Sequence, residues 1–326
     1  MKRWDRRSAL LAFAVLAATY GMPQAQADYW PTKPIKLVVP FAPGGATDII
    51  GRLVAQKLGE RLGQAIVIEN KPGAGTTIGN AFVAKATPDG YTLLFAPTPF
   101  VITQALYPSL PYDAAKEFAP VSLLAVSPFI LVVNDAVPAR NLAELVALAK
   151  SKPGALTFCS AGSGSVPHMA GELFKLNAGV DLVHVPYKGG GPAMADLIGG
   201  QVNMMFATPI EVMQHVQSGK LRVLATTASQ RLPSLPDVPT IRESGVPQFE
   251  VYAFFGVLAP AGTPRDIVDR VAAALAQVMK DPEVLQRFAE QSAEPRVLGP
   301  AAFSAFLQSE RVKWADVVKR SGAKLD

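Results

Sequence analysis

Cysteine and histidine are scarce in this chain of 326 residues, which contains one Cys and three His. The single Cys159 excludes a disulfide framework and any thiolate-based zinc or iron–sulfur site. His168, His184 and His215 are scattered without metal-ligand spacing, so the sequence predicts no metal and no other cofactor.

Charge is also sparse, since 17% of the residues are charged and 49% are hydrophobic. This composition is too apolar for a disordered chain, and the length is ample for a buried core. Length alone indicates about two domains. The formal net charge of +5 is a small excess, and the amino terminus contributes most of it.

Residues 1–27 have the pattern of a secretory signal peptide. A basic head that includes Arg6-Arg7 precedes an uncharged run over 9–18, and Ala25-Gln26-Ala27 is typical of a cleavage site. The run is shorter than the roughly 20 residues that cross a bilayer. We expect cleavage after Ala27 and a soluble periplasmic protein, by the general secretory or the twin-arginine route. Cleavage removes four basic residues and one acidic residue, which lowers the net charge to +2 and leaves no basic footprint for nucleic acid.

From Lys33 onward, short β-rich runs alternate with amphipathic helical patterns. Repeated strand–helix units require crossover connections, so we expect parallel pairing and ligands at the carboxyl ends of the strands. The predicted strands are 35–39, 66–68, 91–95, 129–133, 156–158, 181–185, 203–206 and 221–226. The predicted helices lie near 49–62, 78–83, 142–148, 167–178, 193–198, 210–217, 264–278 and 303–318. Residues 231–248 contain four prolines and indicate a long connection.

Three glycine-rich loops each follow a predicted strand and precede a predicted helix. We call residues 41–48 loop one, 160–168 loop two and 186–192 loop three. Glycine lets a ligand approach the backbone closely, and the amides of a first helical turn attract anions. The alternative is an ordinary turn that needs glycine for a positive φ.

Two side chains in these loops, Asp48 and His168, can each have a structural or a ligand-binding role. Asp48 is either a partner of its helix dipole or a group that selects donors on a ligand. His168 either donates to a ligand or packs, and Lys188 is expected to be a solvated surface residue.

Enzyme signatures are weak. Residues 73–79 are one residue longer than the dinucleotide fingerprint, and no acid follows the next strand. No Gly-x-Ser-x-Gly elbow surrounds Ser163 or Ser165, and no phosphate-binding Gly-Lys-Ser/Thr occurs. The loop carboxylates Asp48, Asp196 and Glu211 stand singly, without an acid/base pair. We therefore expect a protein that is not an enzyme, with a hydrolase of small carboxylate esters as the less favoured alternative.

Several motifs carry a resemblance to a known family. They are Trp30–Ile35, Val39–Gly45 with Asp48, Glu69–Gly75, Pro88–Leu93, Pro167–Leu173, Val183–Gly189, Gly199–Val202, Leu235–Thr240 and Pro260–Pro264. In this order, across the whole chain after residue 27, they resemble the Bug (TctC-type) extracytoplasmic solute receptors of tripartite tricarboxylate transporters.

The resemblance implies an α/β protein with the type II periplasmic-binding-protein fold, in which two α/β lobes close at a hinge around an interlobe ligand cleft. Lobe one would comprise 28–130 and 255–326, and lobe two 131–254. The implied ligand is a small organic carboxylate. The implied partners are the membrane components of a tripartite transporter, or a sensor ectodomain for a receptor without transport, and the receptor is expected to be a monomer. The binding residues that the resemblance implies are Phe41, Gly44, Gly45, Asp48, Thr98, Ser163, Gly164, Ser165, His168, Gly189, Ala207 and Thr208.

Two segments depart from the pattern of the family. Residues 96–100 read Ala-Pro-Thr-Pro-Phe where many relatives carry small and hydroxylated residues. Residues 207–209 read Ala-Thr-Pro where an acid or amide often stands, which weakens the prediction of an amino-acid ligand. We therefore expect a less polar pocket, suited to an aromatic or aliphatic carboxylate.

Overall fold

Two β-sheets with surrounding helices make up the part of the chain that the computed structural model describes, residues 30–324. The predicted signal peptide at 1–27 lies outside the described residues. The strands are β1 (Ile35–Val39), β2 (Ile66–Asn70), β3 (Thr92–Pro97), β4 (Phe118–Pro128), β5 (Ile130–Asn134), β6 (Thr157–Ser160), β7 (Val183–Pro186), β8 (Met204–Ala207), β9 (Leu221–Thr226), β10 (Tyr252–Pro260) and β11 (Glu294–Leu298). The helices are α1 (Ala46–Leu62), α2 (Thr77–Ala84), α3 (Pro99–Leu106), α4 (Leu142–Ser151), α5 (Val166–Ala178), α6 (Gly190–Ile198), α7 (Pro209–Gln217), α8 (Arg265–Val278), α9 (Pro282–Glu290) and α10 (Pro300–Ser321), with a 3₁₀ turn at Ala74–Thr76.

The two sheets have the same mixed design. The first sheet has the strand order β11-β4-β10-β3-β1-β2, and the second has the order β7-β6-β8-β5-β9. Strand β1 pairs in parallel with β2 and β3, and β6 pairs in parallel with β7 and β8. The expected parallel pairing does not hold for the other strands, because β10 pairs antiparallel with β3 and β4, β11 pairs antiparallel with β4, and β5 pairs antiparallel with β8 and β9. Antiparallel neighbours need no crossover helix, so the strand–helix alternation does not reveal them.

Most helix and strand positions agree with the sequence patterns, with a few exceptions. The helix α1 ends at the predicted residue Leu62, and Gly63 follows it with a φ of 72°. Asn141 caps α4 by accepting a hydrogen bond from the Glu144 amide at 2.9 Å. Thr263 does not cap α8, because its hydroxyl donates to the Pro260 carbonyl at 2.8 Å instead. The sequence reading omitted β4, α3, β10, α9 and β11.

The chain crosses between the sheets at two places that touch each other. Phe129 separates β4 of the first sheet from β5 of the second, and residues 227–251 lead back from β9 to β10. The Thr227 hydroxyl accepts from the Phe129 amide at 2.9 Å and donates to the Val251 carbonyl at 2.6 Å. Thr227 is completely buried, so this hydroxyl ties the crossings together at the hinge. The lobe boundaries remain a prediction, although β10 joins the first sheet from Tyr252, three residues before the proposed boundary at 255.

Buried aromatic rings pack together in the core, and one of them belongs to the segment 227–251 that returns to the first sheet. Phe174, Phe206 and Phe249 lie with their ring centroids about 6 Å apart, and Trp314 of α10 belongs to the same hydrophobic cluster. Cys159 is buried as well, and burial raises the pKa of its thiol to about 12, which keeps it protonated and unreactive. None of the helices within residues 30–324 combines the length and the apolar composition that a membrane crossing requires.

Candidate functional site

A cavity of about 650 Å³ lies between loops of the two sheets. Its lining contains residues that follow strands of both sheets, together with Phe129 at the crossing. This volume falls in the range of small-molecule sites, about 300–1,000 Å³. The cavity is therefore the interlobe cleft that the two-lobed α/β fold was expected to contain.

The first sheet contributes the ends of three adjacent parallel strands. Phe41 follows β1, Gly75 and Thr76 follow β2, and Thr98 follows β3. The carboxyl ends of parallel neighbours meet at one edge of a sheet, where open α/β sheets bind ligands. The Thr98 hydroxyl accepts a hydrogen bond from the Phe254 amide at 2.7 Å, which fixes its position beside β10.

The second sheet repeats this arrangement with β6, β7 and β8. Loop two follows β6 and contributes Ser163, Gly164 and Ser165 to the lining, while Gly190 follows β7 and Thr208 follows β8. The backbones of loops two and three lie close together, since a Cβ on Gly162 would stand 3.3 Å from the Tyr187 carbonyl. Gly162 also has a φ of 129°, so glycine is required there for its backbone conformation.

Asp48 organises loop one from beneath. It is only 2% exposed, and its carboxylate accepts from the Gly44 amide at 2.9 Å, from Arg52 Nε at 2.9 Å and from Asn70 Nδ2 at 2.8 Å. Asn70 also donates to the Phe41 carbonyl at 2.9 Å, which connects the network to the cavity lining. Burial alone would raise the pKa of the Asp48 carboxyl, but the hydrogen bonds from Arg52, Asn70 and the Gly44 amide outweigh it and hold the pKa below its ordinary value. Asp48 is thus an ionised residue that positions loop one.

His168 has the corresponding place under loop two. The Gly164 amide donates to His168 Nδ1 at 3.0 Å, which identifies Nδ1 as the acceptor nitrogen. The His168 ring stacks on His184 with a centroid distance of 3.9 Å, and His184 Nε2 lies 2.8 Å from Ser160 Oγ. Ser160 is fully buried and outside the cavity lining, so this serine–histidine pair supports the loop and has no access to a ligand.

Glu211 and Thr208 form the polar wall at the start of α7. Thr208 donates to Glu211 Oε2 from its amide at 2.9 Å and from its hydroxyl at 2.8 Å, as in a capping box. Glu211 also faces loop three, since a Cβ built on Gly190 would lie 3.7 Å from Glu211 Oε1. The Thr208 hydroxyl is therefore committed to the protein's own carboxylate.

The predicted site residues fall into two layers. Those that line the cavity are Phe41, Thr98, Ser163, Gly164, Ser165 and Thr208. Those that lie outside the lining are Gly44, Gly45, Asp48, His168, Gly189 and Ala207. The second group supports or flanks the first, because Asp48 and His168 hold the loops, and Gly45 and Gly189 are the N-cap residues of α1 and α6. Their roles in binding remain predictions.

Several lining residues escaped the sequence reading. Those on omitted elements are Thr103, Leu106 and Tyr107 at α3, Ser127 on β4, and Ala253, Phe254 and Phe255 on β10. Strand β10 is an apolar run rich in aromatic residues, which is a local strand signal that the sequence prediction left out. Gly75 and Thr76 lie in the glycine-rich segment 73–79, which was weighed as a dinucleotide fingerprint and not as a ligand-binding loop.

The charge of the cavity wall is unusual for a site that binds anions. Among the described residues, the lining contains no Lys, Arg or His, and its one acid is Glu211. Five helices begin beside the cavity, since Thr47, Pro99, Val166, Gly190 and Thr208 belong to the lining. Residues 30–324 contain no group of three His, Cys, Asp or Glu that could hold a metal ion. Peptide dipoles and hydroxyls are thus the positive features of this wall.

Comparisons with known proteins agree with this architecture. The sequence model of the family described as "Tripartite tricarboxylate transporter family receptor" matches residues 50–323. Protein BugT of Bordetella pertussis is 38% identical over 319 residues, which cover 97% of this chain and 98% of BugT.

Two solved structures from Rhodopseudomonas palustris are similar along most of the chain. One is a protein with adipate. It is 35% identical with a TM-score of 0.78, and the match covers 91% of this chain and 100% of that protein's chain. The other is MatC with bound malate. MatC is 36% identical with a TM-score of 0.73, and the match covers 89% of this chain and 100% of MatC. The two-lobed fold, the cleft between its loops and these matches lead to one conclusion: the chain belongs to the receptor family of tripartite tricarboxylate transporters.

Proposed function

We propose that this chain is a periplasmic receptor that captures a small organic carboxylate in the cavity between its two lobes and presents it to the membrane components of a tripartite transporter. The observation that carries the proposal is the cavity of about 650 Å³, which loops from the parallel strands of both sheets enclose. The adipate and malate in the two Rhodopseudomonas palustris structures support a carboxylate as the ligand class.

Helix starts supply the attraction for an anion. Amides in a first helical turn lack partners within the helix, and each helix dipole attracts a nearby anion by about 0.3–1 kcal/mol at exposed sites. Gly45 and Gly189 leave α1 and α6 without a side-chain cap, so the amides of their first turns can donate to a ligand oxygen. The serine hydroxyls of loop two add donors on the second lobe. Gly44, Asp48, His168 and Ala207 complete the proposed site from behind the lining.

Binding is coupled to closure in this proposal. The lobes, 28–130 with 255–326 and 131–254, would rotate about the crossings at Phe129 and Thr227. A ligand that contacts both lobes binds the closed form more tightly and shifts the population towards it by that difference in affinity. The closed monomer is then the form that a transporter subunit, or a sensor ectodomain, would recognise. Export with cleavage after Ala27 places the receptor in the periplasm.

Capture without conversion is part of the same proposal. Ser160 and His184 are close enough for a hydrogen bond, but they lie outside the lining and leave a substrate ester out of reach. We therefore assign no catalytic role to any residue.

The test is calorimetric titration of the purified chain with hexanoate, adipate, malate and the neutral analogue hexanamide, combined with small-angle scattering. We expect at least one carboxylate to bind, hexanamide to bind far more weakly, and the radius of gyration to fall on binding. Mass spectrometry of gently purified protein should find a retained carboxylate. Equal binding of hexanamide, or binding of none of the acids, would contradict the proposal, and consumption of a hexanoate ester would favour the hydrolase.

A further inference from the structure

We infer that Glu211 determines specificity in this cleft, so that the receptor favours a monocarboxylate with an apolar body over a dicarboxylate of the same length. This inference rests on the proposed function and narrows its ligand class. It concerns a residue that was not among the predicted site residues. The juxtaposition that points to it is a carboxylate of the protein itself standing beside a helix start that would otherwise attract a carboxylate of the ligand.

The position of Glu211 is fixed by two helices. As the third residue of α7, it holds Oε2 on the amide and hydroxyl of Thr208. Its Oε1 points towards the first residue of α6, 3.7 Å from the place of a Cβ on Gly190. Both Glu211 and Gly190 line the cavity. The negative charge of Glu211 therefore offsets the positive end of the α6 dipole at the cavity wall.

Nothing of opposite charge compensates Glu211 at this wall. Among residues 30–324, the lining has no Lys, Arg or His, and no ion pair joins Glu211 to a basic residue. Lys188 of loop three is exposed and lies outside the lining. A second ligand carboxylate near loop three would meet an uncompensated negative charge.

The wall near the crossing is apolar and offers no partner to a second charge, whereas the polar positions of the lining are the loop hydroxyls and helix starts that would hold the first carboxylate. Phe129, Phe254 and Phe255 form one side near the crossing, and Leu106 and Ile210 face the same space. Ile210 is 54% exposed, which indicates an apolar surface ready for contact with a ligand. Transfer of a carboxylate onto such a surface without a partner is strongly unfavourable, whereas an alkyl or aromatic body gains from burial.

The size of the effect follows from Coulomb's law. Two like charges about 6 Å apart in a partly hydrated cleft, with an effective dielectric constant of about 40, repel each other enough to weaken binding about tenfold. Glu211→Gln removes this charge and retains the capping box, because Gln also serves at the third helical position. The variant therefore separates the charge of Glu211 from its structural role.

A matched control exists on α4. Glu144 occupies the equivalent capping position, since its amide donates to Asn141 Oδ1 at 2.9 Å and its Oε2 accepts from the Arg140 amide at 2.7 Å. Glu144 is exposed and lies outside the cavity lining. Glu144→Gln thus repeats the same chemical change at a helix start that faces no ligand.

The experiment measures affinities of hexanoate and adipate by calorimetry for the native chain, E211Q and E144Q. Both acids have six carbons and differ in the second carboxylate. We expect the native chain to bind hexanoate about tenfold more tightly than adipate, E211Q to reduce this ratio about tenfold, and E144Q to leave the ratio as it is. In the native chain, raising NaCl from about 20 mM to about 500 mM should also reduce the ratio, because salt screens the repulsion.

The outcomes are distinguishable. Adipate binding as tightly as hexanoate to the native chain, or a ratio that neither E211Q nor salt changes, would overturn the role of Glu211 and leave the proposed function standing. Failure of both acids and of malate to bind would overturn the proposed function and this inference with it. If E211Q does not fold, the salt dependence of the native chain decides the question alone.

Discussion

Replacing Asp48 by Ala should loosen loop one and weaken both the fold and ligand binding. The carboxylate is buried and accepts hydrogen bonds from Gly44, Arg52 and Asn70, which itself holds the Phe41 carbonyl. Removing the acceptor leaves the Gly44 amide and the Asn70 amide group without this partner. Phe41 then loses the support that holds it against the cavity.

The magnitude can be worked out bond by bond. A hydrogen bond to a charged acceptor contributes about 1.5–3 kcal/mol, so the Gly44 and Asn70 bonds together contribute roughly 3 kcal/mol at the lower end of this range. The Arg52 side chain is 51% exposed, so its ion pair adds little, about 0.5 kcal/mol. A loss of roughly 3 kcal/mol lowers the Tm by about 6 °C in a chain of this size. A loop that visits other conformations should also bind hexanoate about tenfold more weakly.

Thermal melts and calorimetry test this, with Glu60→Gln as the control. Glu60 is on the same helix and makes only an exposed contact with Gln56, so E60Q should change the free energy of unfolding by less than about 0.5 kcal/mol. The lowered pKa of Asp48 adds a pH signature. A carboxyl with a depressed folded pKa stabilises the fold above the ordinary aspartate value of about 4 and loses that contribution as the pH falls through the lowered value.

The difference in unfolding free energy between the native chain and D48A should therefore be constant from about pH 7 to about pH 5 and shrink in stronger acid. Melting of D48A at the same temperature as E60Q, together with the native affinity, would refute this role of Asp48. A stability difference that does not shrink in acid would refute it as well.

Three further changes probe other parts of the fold. Gly45→Val should weaken carboxylate binding at least about tenfold and shift the Tm by less than about 2 °C, because a Cβ there meets no protein atom within 4 Å and the side chain would stand beside the first-turn amides of α1; unchanged affinity would contradict the site. Gly171→Ala should lower the free energy of unfolding by about 2 kcal/mol in a urea titration, because its Cβ would lie 2.1 Å from the Phe158 ring. Adding F158L to G171A should restore part of this loss, and no restoration would show that the overlap is not the cause. Thr227→Val should cost about 2–3 kcal/mol by leaving the Phe129 amide and the Val251 carbonyl unpaired, whereas T227S keeps both bonds; equal melting of the two variants would exclude this hinge role.

Local patterns were sufficient where an element carries its own signal. The β-branched run of β1 and the apolar stripe of α1 are local signals, and the structure has β1 at the predicted residues and ends α1 at Leu62, where the prediction ended it. The three glycine loops were recognised because glycine between a strand and a helix is also a local signal. The resemblance to the receptor family rests on such motifs, and the comparisons confirm it.

Local patterns were insufficient where pairing partners lie far apart in the chain. Strand β10 runs beside β4 although more than a hundred residues separate them, and its Phe254 and Phe255 line the cavity. The strands β8 and β9 were predicted, but their antiparallel pairing with β5 was missed for the same reason. Asp48 and His168 were singled out as candidate site residues, but the sequence left open whether they touch a ligand or pack. Hydrogen bonds to Gly44 and Gly164 place both of them behind the loops.

By itself, the sequence determined the alternation of strands and helices, the glycine loops that open helices, and the family, because each of these depends on neighbouring residues. The tertiary structure alone decided which of those loops meet around one cavity, that β10 closes the cavity, and that Glu211 stands against the start of α6. The physical reason is that hydrogen bonds between distant strands, and the repulsion between a wall carboxylate and a ligand, depend on distances in space that spacing along the chain does not set.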